Sequence, residues 1–384
     1  MAAVAKGGRF LLLGAGLVGG LLAIALAEQG AEVVLSGAGP SSSATAISYG
    51  GVPWWAGAKN ELGLLQKQAP EQWQRLEQRY GDLGLHKAEL LLHWQAALGE
   101  AALKKALAFI PQGLHRLSEA ELQEYEPLLA GSALGGAVVL PYLRLDPLKL
   151  LRGLESCYGQ LGIKRRGSLF GEPLVEAIAG ADHTVVCAGA KTAELLWHMN
   201  MPVPALLQLS WAGALQLPGH ALEGQRVVMP LQSRRRDLEQ SELQAQPTAS
   251  LDAGLAPAPG GQGLLVGQTS WFECPINAAP TENQDRRALA AAFDLLLPSI
   301  TEAEQSNSQW LQRPVSYSRD GLPLLGSLKA GALQQEKPLS VCAGFSVAFA
   351  LVPALMPFFA QALLDNNWGN LESLGLLANR PFPS

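Results

Sequence analysis

The strongest constraint on the fold lies near the start of the chain, where an apolar run is followed by regularly spaced glycines. Residues 10–13 have the character of a buried strand, and Gly14, Gly16 and Gly19 then follow in the spacing G-x-G-x-x-G. An alanine- and leucine-rich segment stops near Gly30 and leads into a second apolar run at residues 33–35. This order predicts a strand, a tight turn, a helix and a second strand.

The same glycine spacing predicts a dinucleotide-binding turn. The first glycine permits the tight reversal, the second lets the backbone approach a pyrophosphate, and the third lets the helix pack closely on the strand. The helix N-terminus then offers free N–H groups and the positive end of its dipole to the phosphates. We therefore expect Gly14, Ala15, Gly16, Val18 and Gly19 to bind a nucleotide cofactor.

Two other interpretations apply to the same segment. The uncharged residues 10–27 follow Lys6 and Arg9, as the apolar part of a signal peptide would. Their length of 18 residues is also near the minimum for a membrane-spanning helix. The glycine register and the strand that follows favour the nucleotide-binding unit, so we expect no membrane insertion.

One position departs from the usual dinucleotide pattern. The second strand normally ends in an acidic residue that binds the ribose hydroxyls, and here Ser36 stands at that place. A serine hydroxyl also hydrogen-bonds a ribose, although without the charge assistance of a carboxylate. A neutral pocket tolerates a 2′-phosphate as well, so this position leaves NADP open as an alternative cofactor.

Composition narrows the class of protein. A length of 384 residues predicts two domains, and 48% apolar with 16% charged residues is typical of a well-buried globular chain. The net charge of −5 lacks the basic character of a nucleic-acid-binding protein. The four cysteines are widely separated and the histidines have no ligand spacing, so we expect no metal site, no disulfide framework and a cytoplasmic location.

Periodicity gives a coarse map of the remaining chain. Residues 59–130, which include His86, His93 and His115, have helical spacing, and residues 182–196 repeat the strand–turn–helix order of the first unit. Residues 244–263 are rich in Pro, Ala and Gly, which predicts a flexible insertion.

Several short motifs, taken in order, resemble the FAD-dependent D-amino acid oxidase and glycine oxidase family over most of the chain. They are GAGLVG (14–19), LSEAELQEYEPLLAG (117–131), LDP (145–147), VVCAGA (185–190), GLLVGQT (263–269) and RPVSYSRDGLPLLG (313–326). The resemblance implies an α/β fold in which a Rossmann-type, glutathione-reductase-like FAD-binding domain is interleaved with an α+β substrate domain built on a mixed antiparallel sheet. The expected FAD-binding domain comprises residues 1–58, 140–202 and 313–384, and the substrate domain comprises residues 59–139 and 203–312.

The resemblance also implies roles for individual residues. Arg313 would pair with the carboxylate of the substrate, as a planar guanidinium does through two parallel charge-assisted bonds. The alternative is a structural Arg313 salt-bridged to Asp320. The remaining positions would complete the FAD site, namely Ser36, Ser43, Ala44, Gly50, Gly51, Ala188, Gly189, Asp320, Gly321, Gly344, Phe345 and Ser346.

The implied reaction is the oxidation of a C–N bond in an amino acid or amine. A hydride would pass to flavin N5, the imine would be hydrolysed, and oxygen or another acceptor would reoxidise the flavin.

Two further departures from the family keep alternatives open. In residues 344–349 only Gly344 of the usual glycines remains, and Phe345, Val347 and Phe349 either narrow the flavin space or pack in a core. The strand expected to offer a tyrosine to the substrate, residues 227–230, has no hydroxyl. The alternatives are a family member that binds FAD weakly or not at all and acts as a binding or assembly protein, or an NADP-binding enzyme.

Overall fold

The computed structural model describes residues 7–108, 110, 113–241, 247–328 and 337–381. The chain divides into two compact units. The first unit comprises Met1–Leu85, Pro147–Leu209 and Val315–Ser384, and the second comprises His86–Asp146 and Ser210–Pro314.

The strands are numbered in chain order. They are β1 Arg9–Leu13, β2 Glu32–Ser36, β3 Gly51–Val52, β4 Leu85–Gln95, β5 His115–Ser118, β6 Leu134–Leu145, β7 Lys164–Arg166, β8 His183–Val186, β9 Leu207–Leu217, β10 Val227–Pro230, β11 Thr248–Pro257, β12 Leu264–Phe272, β13 Gln309–Ser318, β14 Leu324–Ser327 and β15 Leu339–Ala343.

The α-helices follow the same convention. They are α1 Leu17–Glu28, α2 Glu61–Lys67, α3 Ala69–Tyr80, α4 Glu100–Leu107, α5 Glu119–Tyr125, α6 Pro147–Gln160, α7 Glu172–Gly180, α8 Thr192–His198, α9 Arg234–Gln240, α10 Glu282–Leu296, α11 Glu302–Asn307, α12 Ala348–Asp365 and α13 Gly369–Ser373.

The first unit is built on a six-stranded sheet in the order β14-β15-β8-β1-β2-β7. Five strands run parallel, and β14 pairs antiparallel with β15. In β1 the four residues after Arg9 are all buried, as expected for a central parallel strand covered on both faces. The predicted strand–turn–helix–strand order at the start of the chain is therefore confirmed, as is the Rossmann-type sheet.

Helix α12 is apolar on nearly all sides and packs against α1, α2 and α3. By length and composition it passes the test for a membrane span, but 72% of it lies inside the protein, as in the core helix of a globular unit. Helix α1 has 12 residues and is shorter than a membrane span requires.

The second unit is built on a mixed sheet that contains the order β13-β9-β12-β11-β10-β4-β6, with β5 paired to β6. Strand β12 pairs antiparallel with both β9 and β11, whereas β10 pairs parallel with β4. Helix α10 packs on β11 and β12, and its apolar side chains join those of the sheet in one core. This mixed sheet with helices matches the predicted α+β architecture.

Two predictions made from local sequence are wrong. Residues 59–130 are not helical throughout, because His86 and His93 lie on β4 and His115 lies on β5. The expected flexible insertion at 244–263 contains β11, whose Leu255 and Ala256 are completely buried; residues 244–246 lie outside the described residues. Small residues form a strand there because neighbouring strands bury them.

The two compact units have other boundaries than the expected domains. Residues 59–85, expected in the substrate domain, belong to the first unit. The reason is the packing of α3 on α12, where the indole Nε1 of Trp73 donates to the carbonyl oxygen of Phe349 at 2.8 Å. Smaller differences arise at 140–146, where β6 continues within the second unit, at 203–209, which lie in the first unit, and at 313–314, which lie in the second.

Candidate functional site

The turn between β1 and α1 has the tight backbone packing of a dinucleotide-binding turn. Gly14 has a φ of 130°, and its N–H donates to the carbonyl oxygen of Ser36 at 2.7 Å. A Cβ on Gly14 would overlap the carbonyl of Cys187, and one on Gly19 would overlap the carbonyl of Gly14. Both positions therefore require glycine, for the reasons that the motif implies.

A further glycine beside this turn was not singled out from the sequence. A Cβ on Gly37 would lie 2.7 Å from the backbone nitrogen of Ala15 and 2.8 Å from its Cβ. The residue after β2 must therefore be glycine for the first turn to keep its position. The available signal was the glycine directly after Ser36.

The N-terminus of α1 is arranged to accept a negative group. Gly16 is its N-cap and makes no side-chain capping bond, and the first turn carries no acidic residue. The hydroxyl of Thr45 accepts a hydrogen bond from the N–H of Leu17 at 3.4 Å, which brings the loop after β2 to this helix end. Uncompensated N–H groups and the positive dipole end favour a phosphate here.

That loop contains four predicted cofactor residues and one that the sequence analysis missed. Ser43 precedes the 3₁₀ turn Ala44–Ile47, Gly50 has a φ of 70°, and Gly51 begins β3. Thr45, the residue in contact with the helix N-terminus, lies inside the predicted loop.

Ser36 ends β2 at the place where an acidic residue is usual. It is 2% exposed, and its hydroxyl donates to the carbonyl oxygen of Gly167 at 2.8 Å. The adjacent β7 brings Arg165 to the same strand end, where its Nη1 donates to the carbonyl oxygen of Leu35 at 2.8 Å. The serine hydroxyl is thus engaged by the neighbouring segment.

The other predicted cofactor residues follow the remaining parallel strands. Ala188 and Gly189 come after β8, and Gly344, Phe345 and Ser346 come after β15. Because the carboxyl ends of parallel strands meet at one edge of a sheet, these residues lie at the same edge as the first turn. Ligands of such sheets bind at this edge.

The aromatic residues after Gly344 are part of the packed interior. Phe345 and Phe349 are each 8% exposed, whereas Val347 is 38% exposed and caps α12. Of the two interpretations of these side chains, the structure favours packing in a core.

Asp320 occupies the turn before β14 at the same sheet edge. Its Oδ1 accepts from the hydroxyl of Ser318 at 2.7 Å and from the N–H of Leu322 at 3.0 Å. Both oxygens accept from Arg380, at 2.7 Å from Nε and 2.8 Å from Nη2. Burial alone would raise the pKa of Asp320, but the bonds from Arg380, Ser318 and Leu322 hold that pKa below its ordinary value. The carboxylate holds the turn that contains Gly321.

Arg313 lies on β13 in the second unit, where its Nη1 donates to the carbonyl oxygen of Gln312 at 2.7 Å. The alternative role for Arg313 was a salt bridge to Asp320. The structure instead pairs Asp320 with Arg380. The role of Arg313 as a carboxylate-binding residue stays a prediction.

The strand that carries Arg313 is tied to a second buried carboxylate. Asp285 on α10 is completely buried and accepts four hydrogen bonds from neutral donors. Its Oδ1 binds Thr269 Oγ1 and Trp271 Nε1, each at 2.7 Å; its Oδ2 binds Trp310 Nε1 at 2.9 Å and Gln312 Nε2 at 2.7 Å. Successive residues of a strand point to opposite faces, so Arg313 points away from the face of β13 that meets Asp285.

Among residues 7–108, 110, 113–241, 247–328 and 337–381, no group of three or more His, Cys, Asp or Glu residues is placed to hold a metal ion. All four cysteines are buried free thiols.

Comparison with known proteins agrees with this arrangement. The family described as FAD dependent oxidoreductase (DAO) matches residues 9–355. The chain belongs to this family. The resemblance seen in the motifs is confirmed, and FAD is the cofactor of the family. No curated protein matches the chain.

Solved structures share the fold over nearly the whole chain. Glycine oxidase from Geobacillus kaustophilus is 17% identical with a TM-score of 0.67, covering 98% of this chain and 100% of that one. Iminodiacetate oxidase from Chelativorans sp. BNC1 is 21% identical with a TM-score of 0.64, covering 97% of each chain. L-proline dehydrogenase from P. horikoshii is 15% identical with a TM-score of 0.58, covering 94% of each.

The residues at the sheet edge of the first unit fit FAD in two respects. A Cβ on Gly16 would meet only Thr45 Oγ1 at 3.6 Å and Ser43 Cβ at 3.9 Å, both ordinary contacts, so a diphosphate can approach the backbone. The first turn of α1 carries no acidic side chain that would repel a phosphate. The departure is Ser36, which offers the ribose no carboxylate.

Proposed function

We propose that this protein is an FAD-dependent oxidoreductase that oxidises the C–N bond of an amino acid or amine. The observation that carries the proposal is the assembly of one strand-edge site from four chain segments in a member of the FAD-dependent oxidoreductase family. The first unit would bind FAD and the second would bind the substrate. The names of the structural relatives, which include glycine, iminodiacetate and L-proline as substrates, support this substrate class.

In this proposal the first unit holds FAD through backbone groups. Gly14, Ala15, Gly16, Val18 and Gly19 would surround the diphosphate at the N-terminus of α1. The ribose would lie near Ser36. The other segments at the same edge would complete the site, namely Ser43, Ala44, Gly50, Gly51, Ala188, Gly189, Gly321, Gly344, Phe345 and Ser346.

Arg313 would bind the substrate through its carboxylate. A guanidinium matches a carboxylate with two parallel N–H···O bonds, and such bonds fix orientation as well as position. The bond from Gln312 to Asp285 holds the strand that carries Arg313. The role of the second unit would therefore be to bind and orient the substrate.

Bound FAD would supply the acceptor for a hydride from the substrate carbon, and oxygen or another acceptor would later take up the two electrons. The C–N bond becomes a C=N bond, and the nitrogen or its ammonium form loses a proton. Water adds to the imine and releases ammonia or an amine. The side chains of the protein contribute binding, orientation and exclusion of water from the substrate.

The test is a spectroscopic titration of the purified protein. We expect bound flavin that absorbs at about 450 nm. When glycine, iminodiacetate or L-proline is added in the absence of oxygen, we expect that absorbance to fall. Amines that lack a carboxylate serve as a control for the role of Arg313. A flavoprotein whose absorbance no amino acid or amine bleaches would contradict the proposed reaction.

Ser36 favours a second candidate function. Without a carboxylate at the end of β2, a family member that keeps the fold but holds FAD weakly would act as a binding or assembly protein. A protein that stays colourless after incubation with FAD supports this alternative. Tight binding of NADPH without flavin would instead indicate a pyridine-nucleotide enzyme.

A further inference from the structure

Residues 376–380 form a short segment that is fastened to the edge of the first sheet; we refer to it as the latch segment. Leu325 on β14 donates from its N–H to the carbonyl oxygen of Leu376 at 2.8 Å, and Ala378 donates to the carbonyl oxygen of Leu325 at 2.7 Å. Leu376 is completely buried and Ala378 is 4% exposed. The latch segment is thereby held beside β14 through its backbone.

Arg380, the last residue of the latch segment, reaches the turn that precedes β14. Its side chain is 12% exposed and that of Asp320 is 5% exposed. Besides both oxygens of Asp320, the guanidinium donates to the carbonyl oxygens of Leu322 at 2.8 Å, Pro323 at 2.9 Å and Leu377 at 3.1 Å. A planar guanidinium presents five donors in a fixed fork, whereas a lysine ammonium has three donors at a single point and cannot match this geometry.

The same network contacts the segment that follows β15. Nη2 of Arg380 also donates to the hydroxyl of Ser318 at 3.4 Å, and Ser318 is completely buried. A Cβ on Gly344 would lie 3.2 Å from the Cβ of Ser318 and 3.3 Å from its nitrogen. Ser318 therefore sets the position of Gly344 from one side.

The energetic cost of losing Arg380 follows from the burial of its partner. Removing one member of a buried ion pair leaves the other charge without compensation. Asp320 would then keep the hydroxyl of Ser318 and the N–H of Leu322 as donors, and its uncompensated carboxylate would move toward water. Such a movement would shift both the Asp320–Gly321 turn and the neighbouring Gly344.

We propose that Arg380 is a positioning residue for the FAD site and that the latch segment fixes two cofactor segments in their binding geometry. This inference rests on the proposed function, since it assumes that residues 320–321 and 344–346 meet FAD. By linkage, FAD must then stabilise the latch segment to the extent that the latch segment promotes FAD binding.

The first experiment measures the dissociation constant of FAD for the apoprotein and three variants. We expect Arg380→Gln to bind FAD at least tenfold more weakly than the wild type, and Arg380→Lys to lie between them because it keeps the charge but loses the fork. The matched control is Arg226→Gln, which removes a partly buried arginine of the second unit that pairs with Glu89, Glu126 and Glu223. We expect this control to lower the Tm without changing FAD affinity.

The outcomes separate this inference from the proposed function. Equal FAD affinity in Arg380→Gln and the wild type, or an equal loss in Arg226→Gln, would overturn the positioning role alone. Absence of FAD binding by the wild type would contradict the proposed function itself.

A second measurement applies if Arg380→Gln does not fold. Amide hydrogen exchange of the wild-type chain is followed with and without saturating FAD. We expect FAD to slow exchange in residues 318–323 and 376–380. Exchange in residues 376–380 that is the same in both states would overturn the proposal, because linkage requires the effect.

Discussion

Each unit buries one carboxylate close to residues with a predicted functional role, but the two units compensate its negative charge differently. Asp320 in the first unit is paired with Arg380, and its partners come from a turn and a segment 60 residues further along the chain. Asp285 in the second unit receives four neutral donors from Thr269, Trp271, Trp310 and Gln312. The first arrangement joins segments that are distant in the sequence, whereas the second joins β12 and β13, which flank β9 in the sheet, to one helix.

The difference indicates how each predicted site is made rigid. An ion pair holds its partners only while both charges are present, so loss of one affects the whole turn. A carboxylate that accepts hydrogen bonds from several neutral donors loses only one bond when one donor is removed, because the other donors stay in place. We therefore expect the position of the Asp320 turn in the first unit to depend on single residues more strongly than the position of β13, which carries Arg313.

The largest expected effect is the loss of protein stability when the ion pair between Arg380 and Asp320 is broken. Arg380→Met should lower the free energy of unfolding by about 3–5 kcal/mol, since it leaves Asp320 buried and unpaired. Adding Asp320→Leu should recover much of that loss, because no uncompensated charge remains. Chemical denaturation of the wild type, the two single variants and the double variant is the measurement. If the double variant is as unstable as the sum of the single changes, the pair does not act as a unit.

The next prediction concerns the proposed binding of the substrate by Arg313. Arg313→Ala should lower kcat/KM for a carboxylate substrate by about 2–5 kcal/mol of transition-state stabilisation. FAD content should stay unchanged, and turnover of an amine without a carboxylate should fall much less. Steady-state kinetics on both substrate types distinguishes the two. An equal loss of flavin would identify Arg313 as structural.

The sequence was most informative where structure depends on neighbours in the chain. The spacing of Gly14, Gly16 and Gly19 predicts β1, α1 and the turn, because each glycine acts within the unit it belongs to. Gly37 and Thr45 lie in the same region, but their roles depend on which backbone atoms approach them, and that is set by packing.

Elsewhere the decisive partners are far apart in the sequence. His93 was expected on a helix because a run such as Leu90, Leu91 and Leu92 fits either period, and pairing with β10 and β6 makes it a strand. No local pattern marks Arg380 as the partner of Asp320. Likewise, nothing in an isolated helix predicts that Asp285 collects two indoles from different strands.

The two sheets should contribute in the same way to the pH dependence of stability. Each sheet buries one histidine: His183 bonds to Ser340 Oγ at 2.9 Å, and His93 bonds to the carbonyl oxygen of Ala253 at 2.8 Å. Burial lowers the pKa of each histidine from 6.5 to about 4. Between these values the unfolded chain binds protons that the folded protein does not bind, so stability must fall as the pH decreases.

We expect a loss of about 1.4 kcal/mol per pH unit for each histidine, or about 3 kcal/mol each between pH 6.5 and 4. Asp320 adds to the acid loss, because its lowered pKa contributes stability that disappears when the carboxyl is protonated. Denaturation of His183→Gln and His93→Gln should show a shallower pH slope. His220→Gln, at a partly exposed histidine, is the control, and an equal slope in all variants would contradict the assignment.

A smaller effect is expected at Asp285. Asp285→Asn turns one acceptor oxygen into an NH₂ group that faces two N–H donors, so the stability should fall by about 2 kcal/mol. Because Gln312 also donates to the carbonyl oxygen of Pro280 at 3.1 Å, part of its position should persist. FAD affinity should match the wild type. An Asp285→Asn variant that loses FAD as strongly as Arg380→Gln would remove the distinction between the two regions.

The smallest effect concerns Ser36, where the first unit departs from its family. Ser36→Glu places a carboxylate at the end of β2, and charge-assisted bonds to ribose hydroxyls are about twice as strong as neutral ones. We expect FAD to bind about fivefold more tightly, equivalent to about 1 kcal/mol. Ser36→Ala is the comparison variant: it removes the hydroxyl that bonds to Gly167 and adds no carboxylate, so it should not tighten FAD binding. If both variants bind FAD like the wild type, β2 does not meet the ribose.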